Sequence, residues 1–364
     1  VIVQAVAVFY AVLWTILTLD TVRLIRLIRT YPKARILLAA FTTLLLVGVG
    51  GTAGYAAYLV GIQRAGVEAI FSAQSEAVPP INGRYNILLL GGDAGPDRDG
   101  MRPDSLTVVS IEADTGKATM IGIPRNLEQV PLVADSPLLA EWPDGVYDCG
   151  SDCQISFLYS RTEAFNSSLY PDAEAVGSSP GIEATKDAVE GALGIQIQYY
   201  VLIDMQGFSD LIDALGGVTI DVAERQPVGG DENLNEVEDW IEPGVQKMDG
   251  HTALWYARSR HASSDYDRMQ RQRQLQEAIL QQFDPANVLS KFQGIAEAGA
   301  QVVKTDIPQS MLGYFVNLSL KTKDLPIEKV EFVPPLVDPE DPDYAFIRGT
   351  VADSLVLSTA TPKP

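Results

Sequence analysis

Two long apolar runs open the chain, and the charge pattern changes abruptly between and after them. Residues 1–19 contain no charged side chain, and neither do residues 36–60. At about 1.5 Å of helical rise per residue, either run approaches or exceeds the roughly 30 Å of a bilayer's hydrocarbon core. Residues 20–35 carry Arg23, Arg26, Arg29, Lys33 and Arg35 against the single acid Asp20. Short basic loops stay on the cytoplasmic side, so the pattern predicts two membrane helices with everything after Val60 outside the cytoplasm. A signal peptide is the competing reading of 36–60, but the run is longer than the apolar stretch of such a peptide. The expected organisation is a membrane region over 1–60, a linker over 61–80 and an outer domain from 81.

Beyond the linker the pattern switches between short apolar runs and helical spacing. Tyr85–Leu90 is an apolar run of strand length closed by Gly91-Gly92-Asp93, which predicts a buried strand and a tight loop. Ser105–Ile111 and Ala118–Ile123 predict two more strands, joined by a hairpin at Asp114–Lys117 whose glycine supplies the positive φ. Helices are predicted near Gln154–Asn166, Ile182–Leu193 and Gln206–Leu215, the last stopped by Gly216-Gly217. Tyr199–Ile203 and Val218–Val222 read as strands, and 229–244, with six acids, as an exposed loop. Asp265–Gln282 predicts a long helix, with Ser264 as N-cap and Asp265 and Asp267 in the first turn. Residues 286–320 read as helical, Lys329–Val333 as a last strand, and 338–364 as a loose tail rich in proline and aspartate. Alternating strands and helices without a repeat give the α/β class, with a mixed, partly buried central sheet in one domain over 81–337.

Charge narrows the function. The chain has 27 basic and 47 acidic residues, and those after position 60 include 22 and 46 of them, a net charge of −24. A body so acidic repels a polynucleotide backbone, so no nucleic-acid partner is expected. Cys149 and Cys153 stand four apart, which suits a small disulfide loop in an oxidising exterior. A zinc site would need more ligands than these and the chain's two histidines supply.

Against this acidity, Ala257–Arg273 holds five arginines: Arg258, Arg260, Arg268, Arg271 and Arg273. Guanidinium groups hold phosphate oxygens in bidentate fashion. Arg268, Arg271 and Gln272 fall at i, i+3 and i+4, on one helix face near its positive end, where an anion would also meet exposed backbone N–H groups. The other reading is a salt-bridged surface helix in which Asp265 and Asp267 pair with these arginines. Asp93 and Asp104, at two strand ends, are candidates to hold a hard divalent cation, and Arg125 ends a strand at what would be the same rim.

Taken in order, these segments resemble the LytR–CpsA–Psr family of cell-wall glycopolymer transferases. The resemblance is carried by Asn86–Asp93, Arg102-Pro103-Asp104, Ile123-Pro124-Arg125, Leu215–Val218, Met248–Arg260 and Asp265–Gln272, and spans about 81–335. The cysteine pair and the paired apolar runs are similar to those of actinobacterial members. The resemblance implies an α–β–α sandwich whose apolar pocket takes the lipid of a polyprenyl-pyrophosphate-linked glycan, and transfer of the glycan phosphate to peptidoglycan at the outer face of the cell membrane. It implies Mg²⁺ or Mn²⁺ on Asp93 and Asp104, and pyrophosphate on Arg102, Arg125, Arg258, Arg260 and Arg268, with Gln272 a further site position. Asp265 is the candidate base, or else orients Arg268 or Arg260, and Arg258 and Arg260 would act on the reacting phosphate. Asn126, where the family usually has aspartate or another polar residue, is no base and is assigned at most a hydrogen bond. Two rival functions use the same residues: a pyrophosphatase acting on lipid-linked pyrophosphates, and a non-catalytic wall-glycopolymer receptor.

Overall fold

The computed structural model describes residues 2–24, 31, 40–42, 48, 77–93, 101–230, 234–259, 264–297 and 303–359. The chain divides into two compact units, Val1–Val67 and Glu68–Pro364. In the first, helix α1 runs over Ile2–Leu24, along the first apolar run. Among the fully described residues no helix is long and apolar enough to cross a membrane. Most of the second apolar run, and the linker up to residue 76, lie outside the described residues.

The second unit is built on a six-stranded mixed sheet. Its strands are β1 (Arg84–Asp93), β2 (Arg102–Glu112), β3 (Ala118–Ile123), β6 (Tyr199–Asp204), β11 (Val303–Thr305) and β12 (Glu328–Glu331), in the order β11-β6-β1-β2-β3-β12. β1, β2 and β3 pair antiparallel, while β6 joins β1, and β12 joins β3, in parallel. Gly116, at φ +81°, closes the β2–β3 hairpin where the sequence places a glycine turn. β1 runs through Gly91-Gly92 to Asp93, so the tight loop expected there is strand instead.

Successive strand residues point to opposite faces. Leu88, Leu106, Val108, Ile121 and Leu202 point to one face and form the main core with α2 (Ile155–Arg161), α3 (Pro180–Leu193) and α9 (Tyr344–Thr359). Proline at the first turn of α3 and left-handed Gly194 at its end set that helix's limits. The other face carries α4 (Met205–Ala214), α5 (Gly250–Arg258) and α6 (Asp265–Gln282). A second core there gathers Ile212, Ala253, Tyr256 and Leu275 with the β7–β10 pair (Val218–Val222, Gly244–Met248) and the β8–β9 pair (Gln226–Gly229, Val237–Ile241). β4 (Val130–Pro131) and β5 (Val146–Tyr147) form a short ladder ahead of α2, where Cys149 and Cys153 are bridged.

Three further expectations need correction. The acidic stretch 229–244 is not a plain loop: β9 lies within it, paired with β8, and β10 opens at its end. Residues 286–320 are not continuously helical, since edge strand β11 separates α7 (Pro285–Glu297) from α8 (Leu312–Lys323). The described part of the predicted tail, up to residue 359, is not loose. Asp343 Oδ1 accepts from Ala345 N and Phe346 N at 3.0 Å, starting α9, and Ile347 and Val351, one turn apart, are fully buried in the main core.

Candidate active site

On the sheet face opposite the main core lies a cavity of about 540 Å³. Leu89 of β1 and Val201 and Ile203 of β6 form its floor, and Phe208 and Leu211 of α4, Leu254 of α5 and Leu275 and Ile279 of α6 its walls. The wall closes because α4 and α5 meet at Gly250, where an added Cβ would lie 2.0 Å from Ser209 O. Asp249 caps α5 by accepting from Thr252 N at 2.8 Å, and Ser264 and Asp267 close a capping box on α6. The N-cap predicted at Ser264 is therefore present.

Polar groups gather at one end of this apolar space. The β1–β2 register shifts between Gly91, opposite Ser105, and Gly92, opposite Pro103, so Asp104 is the extra residue of a bulge on β2. Such a bulge re-aims its side chain, and Asp104 lines the cavity beside Ser105. Arg125, just past β3, donates through Nη1 to Asp104 Oδ1 at 2.6 Å and through Nε to Asp265 Oδ2 at 2.9 Å. Asp265 also stands 3.7 Å from Nη2 of Arg268, which is buried on α6 and reaches Asp104 O at 3.5 Å. Two guanidinium groups and two carboxylates from β2, the end of β3 and α6 thus close one rim. Arg258 is exposed at the mouth with its guanidinium 4.8 Å from the Trp255 ring centroid. Gln272 lines the cavity and donates to Ala257 O at 3.3 Å.

The structure brings together Asp104, Arg125, Asp265, Arg268, Arg258 and Gln272. Arg102 sits apart from the cavity lining, over the Phe157 ring at 4.9 Å. The Asp93 backbone pairs with Arg102 at the end of β1, but its side chain lies outside the described residues, as does all of Arg260. Arg271 is not part of an anion-binding face. It is buried, donating through Nε to Tyr256 O at 2.8 Å and through Nη2 to Ser259 O, and so ties α6 to the end of α5. Arg273 is also structural, with Nε 3.0 Å from Glu331 Oε1 on β12. The rival surface-helix reading holds only in part: Asp265 pairs with Arg268, while Asp267 caps the helix. Asn126 is absent from the cavity lining.

Sequence reasoning missed Asp204 and Trp255. Asp204 ends β6, lines the cavity and caps α4 by accepting from Gly207 N at 2.7 Å. Burial holds its carboxyl above the ordinary range, against the hydrogen bonds from Gly207 and Gln206. An aspartate between a strand and a helix was the available signal. Trp255 sits in the quoted Met248–Arg260 segment, where an aromatic residue three before an arginine on a helix signals stacking.

Among the described residues no three His, Cys, Asp or Glu side chains come together to hold a metal. The donor set at the mouth suits instead a hard cation that takes one or two carboxylates from protein and the rest from phosphate and water. Of the described carboxylates that line the cavity, Asp104 and Asp204, Asp104 is the one at the arginine rim.

The LytR_cpsA_psr family model matches residues 65–334. The polyisoprenyl-teichoic acid–peptidoglycan teichoic acid transferase TagU of Halalkalibacterium halodurans is 30% identical over 225 residues, covering 61% of each chain. The corresponding transferase TagV of Bacillus subtilis is 28% identical over 290 residues, 77% of this chain and 65% of TagV. The chain therefore matches less than two thirds of the length of either relative. Among solved structures, B. subtilis TagV superposes with a TM-score of 0.53 at 24% identity, covering 78% of this chain and 100% of that one. TagT bound to LIIa-WTA superposes at 0.51 with 20% identity, covering 78% and 95%. These likenesses establish the α/β fold with its central mixed sheet.

Proposed function

The chain belongs to the LytR–CpsA–Psr family, and on that premise we propose that it is a membrane-anchored phosphotransferase that moves a glycan phosphate from a polyprenyl-pyrophosphate carrier to peptidoglycan. The observation that carries this is the joining of an apolar cavity of about 540 Å³ to a mouth lined by Asp104, Arg258, Arg268 and Gln272. An apolar chamber ending in cations suits an amphiphile with a long hydrocarbon tail and an anionic head. The relatives named as teichoic acid–peptidoglycan transferases support the same donor and acceptor.

The reaction passes the glycan's phosphoryl group to a sugar hydroxyl, breaks the bond to the bridging oxygen and releases polyprenyl phosphate, the hydroxyl's proton passing to that departing phosphate or to water. Such transfers need positioning and charge stabilisation more than covalent help. Arg258 and Arg268 hold the non-bridging oxygens and stabilise charge on the departing phosphate. Asp265, already engaged by Arg125 and close to Arg268, orients the Arg125 and Arg268 guanidinium groups rather than taking the proton. Asp104, with Asp93 at the neighbouring strand end, would hold Mg²⁺ or Mn²⁺, which when bound neutralises phosphate charge. The apolar walls keep the carrier's tail inside and water out.

The test incubates the full chain, in vesicles, with labelled lipid-linked glycan and peptidoglycan. Label should enter peptidoglycan, and Arg258→Ala should slow this about a hundredfold, the scale of losing one transition-state donor. Free glycan phosphate without attachment would identify a pyrophosphatase. Binding without turnover would identify a receptor.

A further inference from the structure

The line of arginines continues past Arg125. Arg125 O accepts from Ser156 N at 3.1 Å, and Leu127 O from Ile155 N at 2.9 Å, so α2 starts against the rim. The next residue, Phe157, carries the Arg102 guanidinium 4.9 Å from its ring centroid. One turn along α2, Arg161 lies over the Trp142 ring at 5.4 Å. Residues four apart share a helix face, with Cβ atoms about 5–6 Å apart. Arg102, Phe157, Arg161 and Trp142 therefore form a ledge of alternating guanidinium groups and rings that leads away from the mouth.

The ledge is anchored but electrically unsatisfied. Trp142 packs edge-on to the buried Tyr147 at 4.9 Å, and the Cys149–Cys153 bridge pins the chain just before α2. Burial pushes the Tyr147 hydroxyl up to about 12, against the opposing effect of Arg161, so it remains a donor. That hydroxyl and Arg161 Nε are buried with no hydrogen-bond partner among the described residues. Leaving such groups unmatched costs about 1–3 kcal/mol each. Arg125 is matched by two carboxylates, whereas neither Arg102 nor Arg161 has an ion-pair partner among the described residues. Glu163, the acid nearest Arg161 in sequence, is turned to accept from Gly181 N at 2.9 Å. In a domain with a net charge of −24 after residue 60, two arginines with no ion-pair partner among the described residues, next to a mouth proposed to take pyrophosphate, mark an anion site. A guanidinium lying on a ring keeps its N–H edge available for that anion.

We infer that this ledge is a second anion subsite, which holds a phosphate group within the donor's glycan while the donor's pyrophosphate occupies the mouth. The inference rests on the transferase reading, since the glycan of a donor held tail-first must leave the mouth outward. It makes Arg161 and Trp142 determinants of donor preference, favouring polymers that carry phosphate along the chain over neutral ones.

The test compares two donors of equal glycan length, one with phosphodiesters in its glycan and one uncharged, using the full chain and Arg161→Ala. KM for the phosphodiester donor should rise about tenfold, the size of one charge-assisted contact. KM for the neutral donor and kcat for both should stay unchanged, and Arg161→Lys should restore part of the loss. An equal rise for both donors, a change confined to the peptidoglycan KM, or no change overturns the subsite. If the wild type turns over neither donor, the transferase reading fails by itself. Calorimetry with lipid-free glycan phosphate then decides the ledge: binding that weakens in Arg161→Ala keeps it, and no wild-type binding removes it.

Discussion

Replacing Arg125 by methionine removes the group on which the rim is built while keeping its apolar stem. Arg125 bonds Asp104 at 2.6 Å and Asp265 at 2.9 Å, with the three side chains 23%, 19% and 27% exposed. At an effective dielectric constant of 20, each pair is worth about 6 kcal/mol of gross attraction at this range. Desolvation offsets most of it. Breaking a fully buried pair costs about 3–5 kcal/mol, and a surface pair is worth about 0–1. A quarter-exposed triad falls between, so Arg125→Met should cost about 2 kcal/mol. Much of that cost is the pair of carboxylates left facing each other. Arg125→Met combined with Asp104→Asn and Asp265→Asn should therefore recover about half of it, a non-additivity expected of side chains in contact. Urea unfolding of the full chain in detergent, followed by tryptophan fluorescence, reads both values. A single-variant loss below about 0.5 kcal/mol, or a triple variant less stable than the single, refutes the reasoning that charge matching holds the rim.

Three further outcomes are expected. Glu190 on α3 accepts from Ile197 N at 2.6 Å, and burial raises its carboxyl from 4.5 to about 7. The folded state therefore binds a proton more tightly than the unfolded chain, and stability falls as pH rises from about 4.5 to 7, by up to about 3 kcal/mol. Glu190→Gln should flatten that part of a stability–pH curve, leaving the lower window governed by Asp306, raised to about 6 by burial; an unchanged slope would show that Glu190 does not titrate there. Arg273→Met should cost about 3–5 kcal/mol in urea unfolding, because it strands Glu331 in the interior. Gly122→Ala should destabilise through the same pair, since a Cβ there would lie 2.1 Å from Glu331 Oε2 and 2.6 Å from Arg273 Nη2; thermal melts that match the wild type would show the pair can shift at no cost.

What the sequence determines here is what depends on near neighbours. β3, β7 and α6 run over the predicted spans, because strand alternation, glycine turns and the Ser264 cap act within a few residues. The order of the motifs also carries the family. The loose-tail expectation overlooked a local signal, the Asp343 cap before Ile347 and Val351, because prolines and acids dominate the flanking composition. Tertiary structure alone sorts the arginines. Arg258, Arg268, Arg271 and Arg273 lie within sixteen positions of one another, yet one is exposed at the mouth, one closes the rim and two are structural. That division depends on partners far along the chain: Asp265 meets Arg125 from 140 residues away, and Arg273 meets Thr107 from 166. The bulge that turns Asp104 into the cavity depends on strand register, and the cavity depends on how closely α4 and α5 approach at Gly250. Charge and spacing say that an arginine is present; only the fold's long-range contacts decide whether its N–H groups are used inside the protein or left for a ligand.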